Sequence, residues 1–268
     1  MSSLDGVSLL KNLALSAGVI AILMTATSAL AFRKSRHSIV DVAWGVGFVL
    51  IAIVSAALSV GQGNLERKAV MLTVVAVWGL RLATHLYWRA RDRGEDQRYV
   101  TLLSRAERSR TIFALTHIYL PQGLMMWLVS MPIQVCMYEP STLGIMGWVS
   151  TGVAVAGLLL EAVADAQLQA FRSDPANAGQ VLSKGLWAWS RHPNYFGDTC
   201  LWWGVWGLAD ATWIGVASVF SPIVMTFMIV AKTGKSLLEK NLLAAKGEGY
   251  ARYVQSTSGF FPRRPRRP

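Results

Sequence analysis

Residues 38–60 read SIVDVAWGVGFVLIAIVSAALSV, 23 residues with one charge, at Asp41. A hydrocarbon core about 30 Å thick needs about 20 apolar residues in helical form. The run is therefore read as a membrane span. Six further runs outward from it read the same way: 12–32, 69–90, 112–137, 141–164, 193–208 and 211–231. Only Ala209 and Asp210 separate the last two, which predicts a tight helical hairpin near Ala209–Ala211. Pro121, Pro132 and Pro222 lie inside or beside spans, where neighbouring helices tolerate them as kinks. The expected fold is all-α: one polytopic membrane helix bundle of about seven transmembrane helices over 1–262.

Composition agrees. Charged residues are 15% of the 268, against about 25% in an ordinary soluble domain. Hydrophobic residues are 53%, and there are 11 tryptophans. A disordered chain, a disulfide scaffold and a typical soluble enzyme are excluded. Cys136 and Cys200 both sit inside apolar runs and read as buried thiols. The first run has the Ala29-Leu30-Ala31 look of a signal-peptide cleavage site. Its start carries Asp5 and only Lys11, however, and Arg33, Lys34 and Arg36 follow it, so it reads as an anchor.

The charge excess, +11, has a side. With the N-terminus outside and the spans alternating, the inside segments 33–37, 91–111, 165–192 and 232–268 hold 21 Lys+Arg, and the outside segments hold 3. That split puts the C-terminus in the cytoplasm. The tail at 263–268 is read as disordered and drawn to anionic headgroups, with no nucleic-acid partner. No internal repeat of the transporter kind is visible.

Ionisable groups at membrane depth are expensive and mark function by default. Asp41 shares a helix face with Trp44, Gly45 and Phe48. Trp78, Arg81, His85, Trp88 and Arg89 form another stripe, with Arg81 too deep to snorkel easily and expected to pair with Asp41. His117, Tyr119 and Gln122 stand in the fourth span beside Pro121. Glu161, Asp165, Leu168 and Arg172 form a stripe leaving the fifth span. The four histidines lack ligand spacing, so no metal is expected.

Residues 184–206, KGLWAWSRHPNYFGDTCLWWGVW, crowd polar groups at a membrane surface. Pro193 fits a first helical turn, whose free N–H groups suit an anion. Arg191 adds a bidentate donor. Asn194 and Asp198 lie four apart, with Trp202 a turn deeper, which describes a cofactor-sized pocket opening to the cytoplasm.

Several stretches together resemble the steroid 5-alpha-reductase-like family, and specifically its bacterial membrane branch. They are Asp41-x-x-Trp44-Gly45, the run from Trp78-Gly79-Leu80-Arg81 to Gly94-Glu95-Asp96-x-x-Tyr99, Glu161-x-x-x-Asp165 with Phe171, and SRHPNYFGD at 190–198 followed by Trp202-Trp203-Gly204. Glu239, Gly249-Tyr250, Tyr253, Ser258 and Phe261-Pro262 are similar to the family's end, so the likeness covers about 38–262. The resemblance implies a seven-helix protein of the bacterial inner membrane. It would bind NADPH on the cytoplasmic side and reduce a carbon–carbon double bond in an apolar lipid or steroid-like enone drawn from the bilayer. It implies cofactor contacts at Asp165, Arg172, Asn194, Asp198, Trp202 and Tyr250. Steroid enzymes hold the substrate carbonyl with a glutamate and a tyrosine. Here the second span offers Asp41, and Arg81 stands where the tyrosine is expected. Asp41 with Arg81 or His85 then becomes the expected carbonyl-polarising set, and Arg89, Arg93, Arg172 and Arg191 are candidates for the phosphates. The rival reading is a membrane methyltransferase of the isoprenylcysteine carboxyl methyltransferase type, using S-adenosylmethionine. Such enzymes share the Arg-His-Pro-x-Tyr-x-Gly stretch at 191–197 and a Glu…Tyr-x-x-Tyr tail. A non-enzymatic lipid-binding or transport protein is the third reading.

Overall fold

The computed structural model describes residues 5–91, 93–232 and 235–265, and among them every regular element is helical. The elements are α1 (Gly6–Lys34), α2 (Ile39–Leu58), α3 (Leu65–Ala90), a short α4 (Gln97–Leu103), α5 (Arg110–Cys136), α6 (Gly144–Ser173), α7 (Pro193–Gly207), α8 (Trp213–Ala231) and α9 (Lys235–Ser256). Six are long and apolar enough to cross a membrane: α1, α2, α3, α5, α6 and α8. The expected span at 193–208 is corrected to the 15-residue α7. At 1.5 Å per residue it reaches about 22 Å, short of a 30 Å core. The Arg191-His192-Pro193 start and a turn at 208–212 bound it on both sides.

Two helices are interrupted where the sequence places proline. α5 carries a π-helical turn at Leu115–Tyr119, Pro121 in the next helical turn, and a break at Ser130 before Pro132. Proline has no N–H to donate back along the helix, so the ladder restarts beyond it. α8 is interrupted between Ala217 and Phe220.

The chain divides into two compact units, one within Met1–Gly147 and Val205–Ser221, the other within Trp148–Gly204 and Pro222–Pro268. In the first unit α2 and α3 touch backbone to backbone. A Cβ on Gly45 would stand 2.2 Å from the Gly79 carbonyl, and one on Gly79 would stand 2.6 Å from the Gly45 carbonyl. Small residues permit such approach where apolar burial cannot drive helices together in lipid. A buried polar seam ties α1 to α5: Asn12 Nδ2 donates to Gln134 Oε1 (3.1 Å), Ser16 donates to the same oxygen (2.5 Å), and Gln134 Nε2 donates to Ser130 Oγ (2.8 Å).

At the N-terminal end of α3, Arg67 is 1% exposed. Its guanidinium donates to the carbonyls of Ser141 (3.1 Å), Thr142 (2.9 Å) and Leu208, and faces Asp210 at 3.5 Å. One side chain thus fastens two connecting segments. Nearby Thr212 donates to buried Glu139 (2.6 Å). Burial raises the Glu139 carboxyl above its ordinary value, against the Thr212 bond and the Arg67 charge.

In the second unit α6 and α7 are joined by the same device. A Cβ on Gly157 would lie 2.5 Å from the Gly197 carbonyl, one on Gly197 would lie 2.6 Å from the Gly157 carbonyl, and one on Gly204 would lie 2.5 Å from the Ala154 nitrogen.

Candidate functional site

The polar residues fall into two stations, one in each unit. The first is built where α2 begins. Glu95 caps that helix start, accepting from the backbone N–H of His37 and of Ser38 (2.9 Å), and also from that of Asp96 (2.9 Å). This fixes the loop before α4 against the end of α2. Asp96 in turn caps α4 through the Arg98 N–H (2.9 Å). Burial works to raise the Asp96 carboxyl, but the Arg98 bonds prevail and hold it below the usual carboxylate value.

α4 supplies the partners of Asp41. Tyr99 Oη donates to Asp41 Oδ1 at 2.5 Å, and Arg98 Nη2 donates to Oδ2 at 2.8 Å. Gln122 Nε2 reaches the Tyr99 oxygen at 3.5 Å, and Trp44 Nε1 donates to Gln122 Oε1 at 2.5 Å. Arg98 and Tyr99 are partners of Asp41 that the sequence pattern does not single out. Gly45 lies against Gly79 and Ala83, which sets the register of α2 on α3. Asp41 lines a 320 Å³ polar cavity with Ser38, Arg89, Arg93, Glu95 and Asp96. Arg81 and His85 are half-buried on α3 and are not among that cavity's described lining. Tyr99, 7% exposed, has its hydroxyl pKa driven well up, first by burial and then by the Asp41 charge, so it keeps its proton.

His37 Nδ1 lies 2.9 Å from the Tyr119 hydroxyl, and burial lowers the His37 pKa against the opposing charge of Glu95. Tyr119 also lines a 490 Å³ apolar groove between α1 and α5, with Ile20, Met24, Leu120, Leu124 and Trp127.

The second station lies on α6 and α7. The Gly157–Gly197 contact sets their register, and Asn194 Nδ2 donates to Asp165 Oδ1 at 3.1 Å. Glu161 and Asp165 are buried, Trp202 is fully buried, Asp198 is half-buried and Arg172 is exposed. Thr199 Oγ1 is buried with no hydrogen-bond partner among the described residues.

Arg191, expected as an anion donor, meets a carboxylate of this chain. Its Nε donates to Glu239 Oε1 (2.9 Å), and its Nη1 donates to the carbonyls of Val254 (3.0 Å) and Thr257 (2.6 Å). His192 Nε2 lies 2.9 Å from the same Glu239 oxygen. Burial would raise the Glu239 carboxyl, but the bonds from Arg191 and His192 hold it below its ordinary value. Buried Tyr250 stands beside this pair, its hydroxyl pKa pushed up to about 12 by burial first and then by Glu239, with Arg191 opposing. Tyr253 Oη donates to the Trp187 carbonyl at 2.5 Å. The Arg-His-Pro stretch is therefore stitched to α9.

Glu95, Arg98, Tyr99 and Glu239 are functional candidates that the sequence pattern does not single out. The quoted Gly94-Glu95-Asp96-x-x-Tyr99 stretch held three of the four, and its polar density directly after a span was the available signal.

Among the described residues, six helices of spanning length and apolar composition define an integral membrane protein. The chain belongs to the DUF1295 family, described as proteins of unknown function, whose profile matches residues 28–257. No curated protein and no solved structure matches it.

Proposed function

We propose that this protein is an integral-membrane reductase of the steroid 5-alpha-reductase-like kind, reducing a carbon–carbon double bond of an apolar lipid or steroid-like enone with NADPH. The observation that carries the reading is the Asn194–Asp165 hydrogen bond across a glycine-to-glycine helix contact. It holds together an amide and a carboxylate, groups able to hydrogen-bond a ribose or a carboxamide. The donor set fits the cofactor. Asn194, Asp165, Asp198 and Trp202 would hold it, the Thr199 hydroxyl, without a partner among the described residues, offers a further polar contact, and exposed Arg172 would meet a phosphate. Tyr250 completes the set from α9. Arg191 and His192 act as positioning residues through Glu239.

The bound nicotinamide would supply the hydride. The chain supplies the acid. The Tyr99 hydroxyl holds its proton in a short bond to Asp41, and a substrate carbonyl competing for that proton would be polarised by it. Asp41 orients the hydroxyl, and Arg98 holds Asp41. Tyr99 is thus added to the expected carbonyl-polarising set. Arg81 and His85 remain with Asp41 in the catalytic set. The apolar groove between α1 and α5 suits a hydrocarbon substrate arriving from the bilayer.

The test is thermal stabilisation of the detergent-purified chain by NADPH, NADH, S-adenosylmethionine and S-adenosylhomocysteine. A ligand at 100 times its Kd stabilises by about 2.7 kcal/mol. NADPH is expected to stabilise, and Asn194→Ala and Arg172→Ala to remove the shift. Stabilisation by the methionine-derived ligands alone would overturn the reductase reading in favour of a methyltransferase.

A further inference from the structure

The end of the chain is anchored up to Arg263; residues 266–268 of the expected disordered tail lie outside the described residues. The Arg263 N–H donates to the Trp189 carbonyl (2.9 Å), the Arg191 N–H donates to Ser258 (2.8 Å), and Ser190 Oγ donates to Phe260 (2.8 Å). Phe260 and Phe261 pack edge-to-face on each other (5.4 Å) and on Phe196 at 5.6 and 5.8 Å. This anchoring leaves Phe261 62% exposed and Trp189 49% exposed, beside exposed Arg263 and Arg264. Two large rings held outward next to two cations form a surface of defined chemistry, with further arginines following in sequence at 266 and 267.

Its depth follows from α6. That helix has 30 residues, about 45 Å, which exceeds the hydrocarbon thickness by about 15 Å. Its first charge is Glu161, so the uninterrupted apolar part ends at Leu160, about one turn before Ala164. Trp187 Nε1 donates to the Ala164 carbonyl at 3.1 Å, which ties the 187–190 segment to the helix at the level where hydrocarbon gives way to headgroups. Tryptophan and phenylalanine beside arginine favour that layer, and its anionic lipids attract the cations.

We infer that Trp189, Phe261, Arg263 and Arg264 form an interfacial binding surface for anionic phospholipid, the rings entering the headgroup layer and the arginines meeting phosphate. The surface is independent of the chemistry proposed above.

The experiment uses the full chain in lipid nanodiscs, with an environment-sensitive dye at Phe261→Cys in a Cys200→Ser background. A second dye site at exposed Ala178→Cys serves as the aqueous reference. In discs containing phosphatidylglycerol the Phe261 dye is expected to shift to the blue and lose quenching by aqueous iodide, relative to pure phosphatidylcholine. Arg263→Gln with Arg264→Gln should abolish the dependence on the anionic lipid. A Phe261 dye as open to iodide as the Ala178 dye in both lipids overturns the inference. So does a shift produced by the soluble polyanion heparin and not by phosphatidylglycerol. Without any label, phosphatidylglycerol added to micelles should raise the Tm of the native chain and not of the double variant; equal shifts overturn it.

Discussion

Replacing Arg67 with methionine keeps most of the side-chain volume and removes the guanidinium. Three carbonyls, those of Ser141, Thr142 and Leu208, then lose their donor. These acceptors are backbone and cannot be exchanged for apolar groups. The neutral outcome known for wholesale replacement of buried ion pairs is therefore closed here. Charge-assisted hydrogen bonds contribute about 1.5–3 kcal/mol each, and partial rehydration of the loops keeps them from adding in full. The expected loss for Arg67→Met is about 4 kcal/mol. Arg67→Lys keeps the charge without the planar fork and should cost about 2 kcal/mol. For a chain of this size a kcal/mol corresponds to about 2–4 °C, so Arg67→Met should lower Tm by about 10 °C. The assay is thermal unfolding in one detergent, followed by tryptophan fluorescence, with exposed Lys11→Gln as the unaffected control. A Tm for Arg67→Met within about 2 °C of the parent would refute the reasoning. It would mean that the two segments hold their places without the clamp.

Gly197→Ala drives a methyl into the Gly157 carbonyl and should cost about 1–3 kcal/mol, while Gly152→Ala on the same α6, where a Cβ meets nothing within 4 Å, should be neutral or slightly stabilising. Equal Tm values for the two variants would argue against a glycine contact setting the α6–α7 register. Tyr99→Phe leaves the ring and removes the bond to Asp41; turnover of an enone lipid should fall by about 10²–10⁴ while NADPH still stabilises the protein. Unchanged turnover would remove Tyr99 from the mechanism. Glu239 is depressed in the folded state, so its bonds to Arg191 and His192 stabilise fully above its unfolded pKa of about 4.3 and are lost as pH falls through the lower folded value. Glu239→Gln should be less stable at neutral pH and should show a flatter loss of Tm on acidification; a parallel acid limb in both proteins would deny Glu239 that role.

The spans were legible in the sequence because the demand that makes them is local. A helix in hydrocarbon must be apolar along its own length, and that property is written in consecutive residues, as at 38–60. Six of the seven runs accordingly coincide with spanning-length helices to within a few residues at most ends. The seventh run does not reach spanning length. The stretch 193–208 has enough hydrophobic composition, but a proline start and a nearby turn leave only 15 helical residues.

Partner identity was not legible, since it depends on register between helices far apart in the chain. Gly45 against Gly79 sets the register of α2 on α3, and Glu95 holds the loop that brings Tyr99 to Asp41. Arg191 looked like a free anion donor until Glu239, 48 residues on, and the carbonyls at the end of α9 were brought to it. Sequence by itself determined which segments could enter a membrane and which polar residues would be costly there. Tertiary structure alone decided which of those residues meet, because close helix approach and long-range hydrogen bonds are properties of pairs of segments.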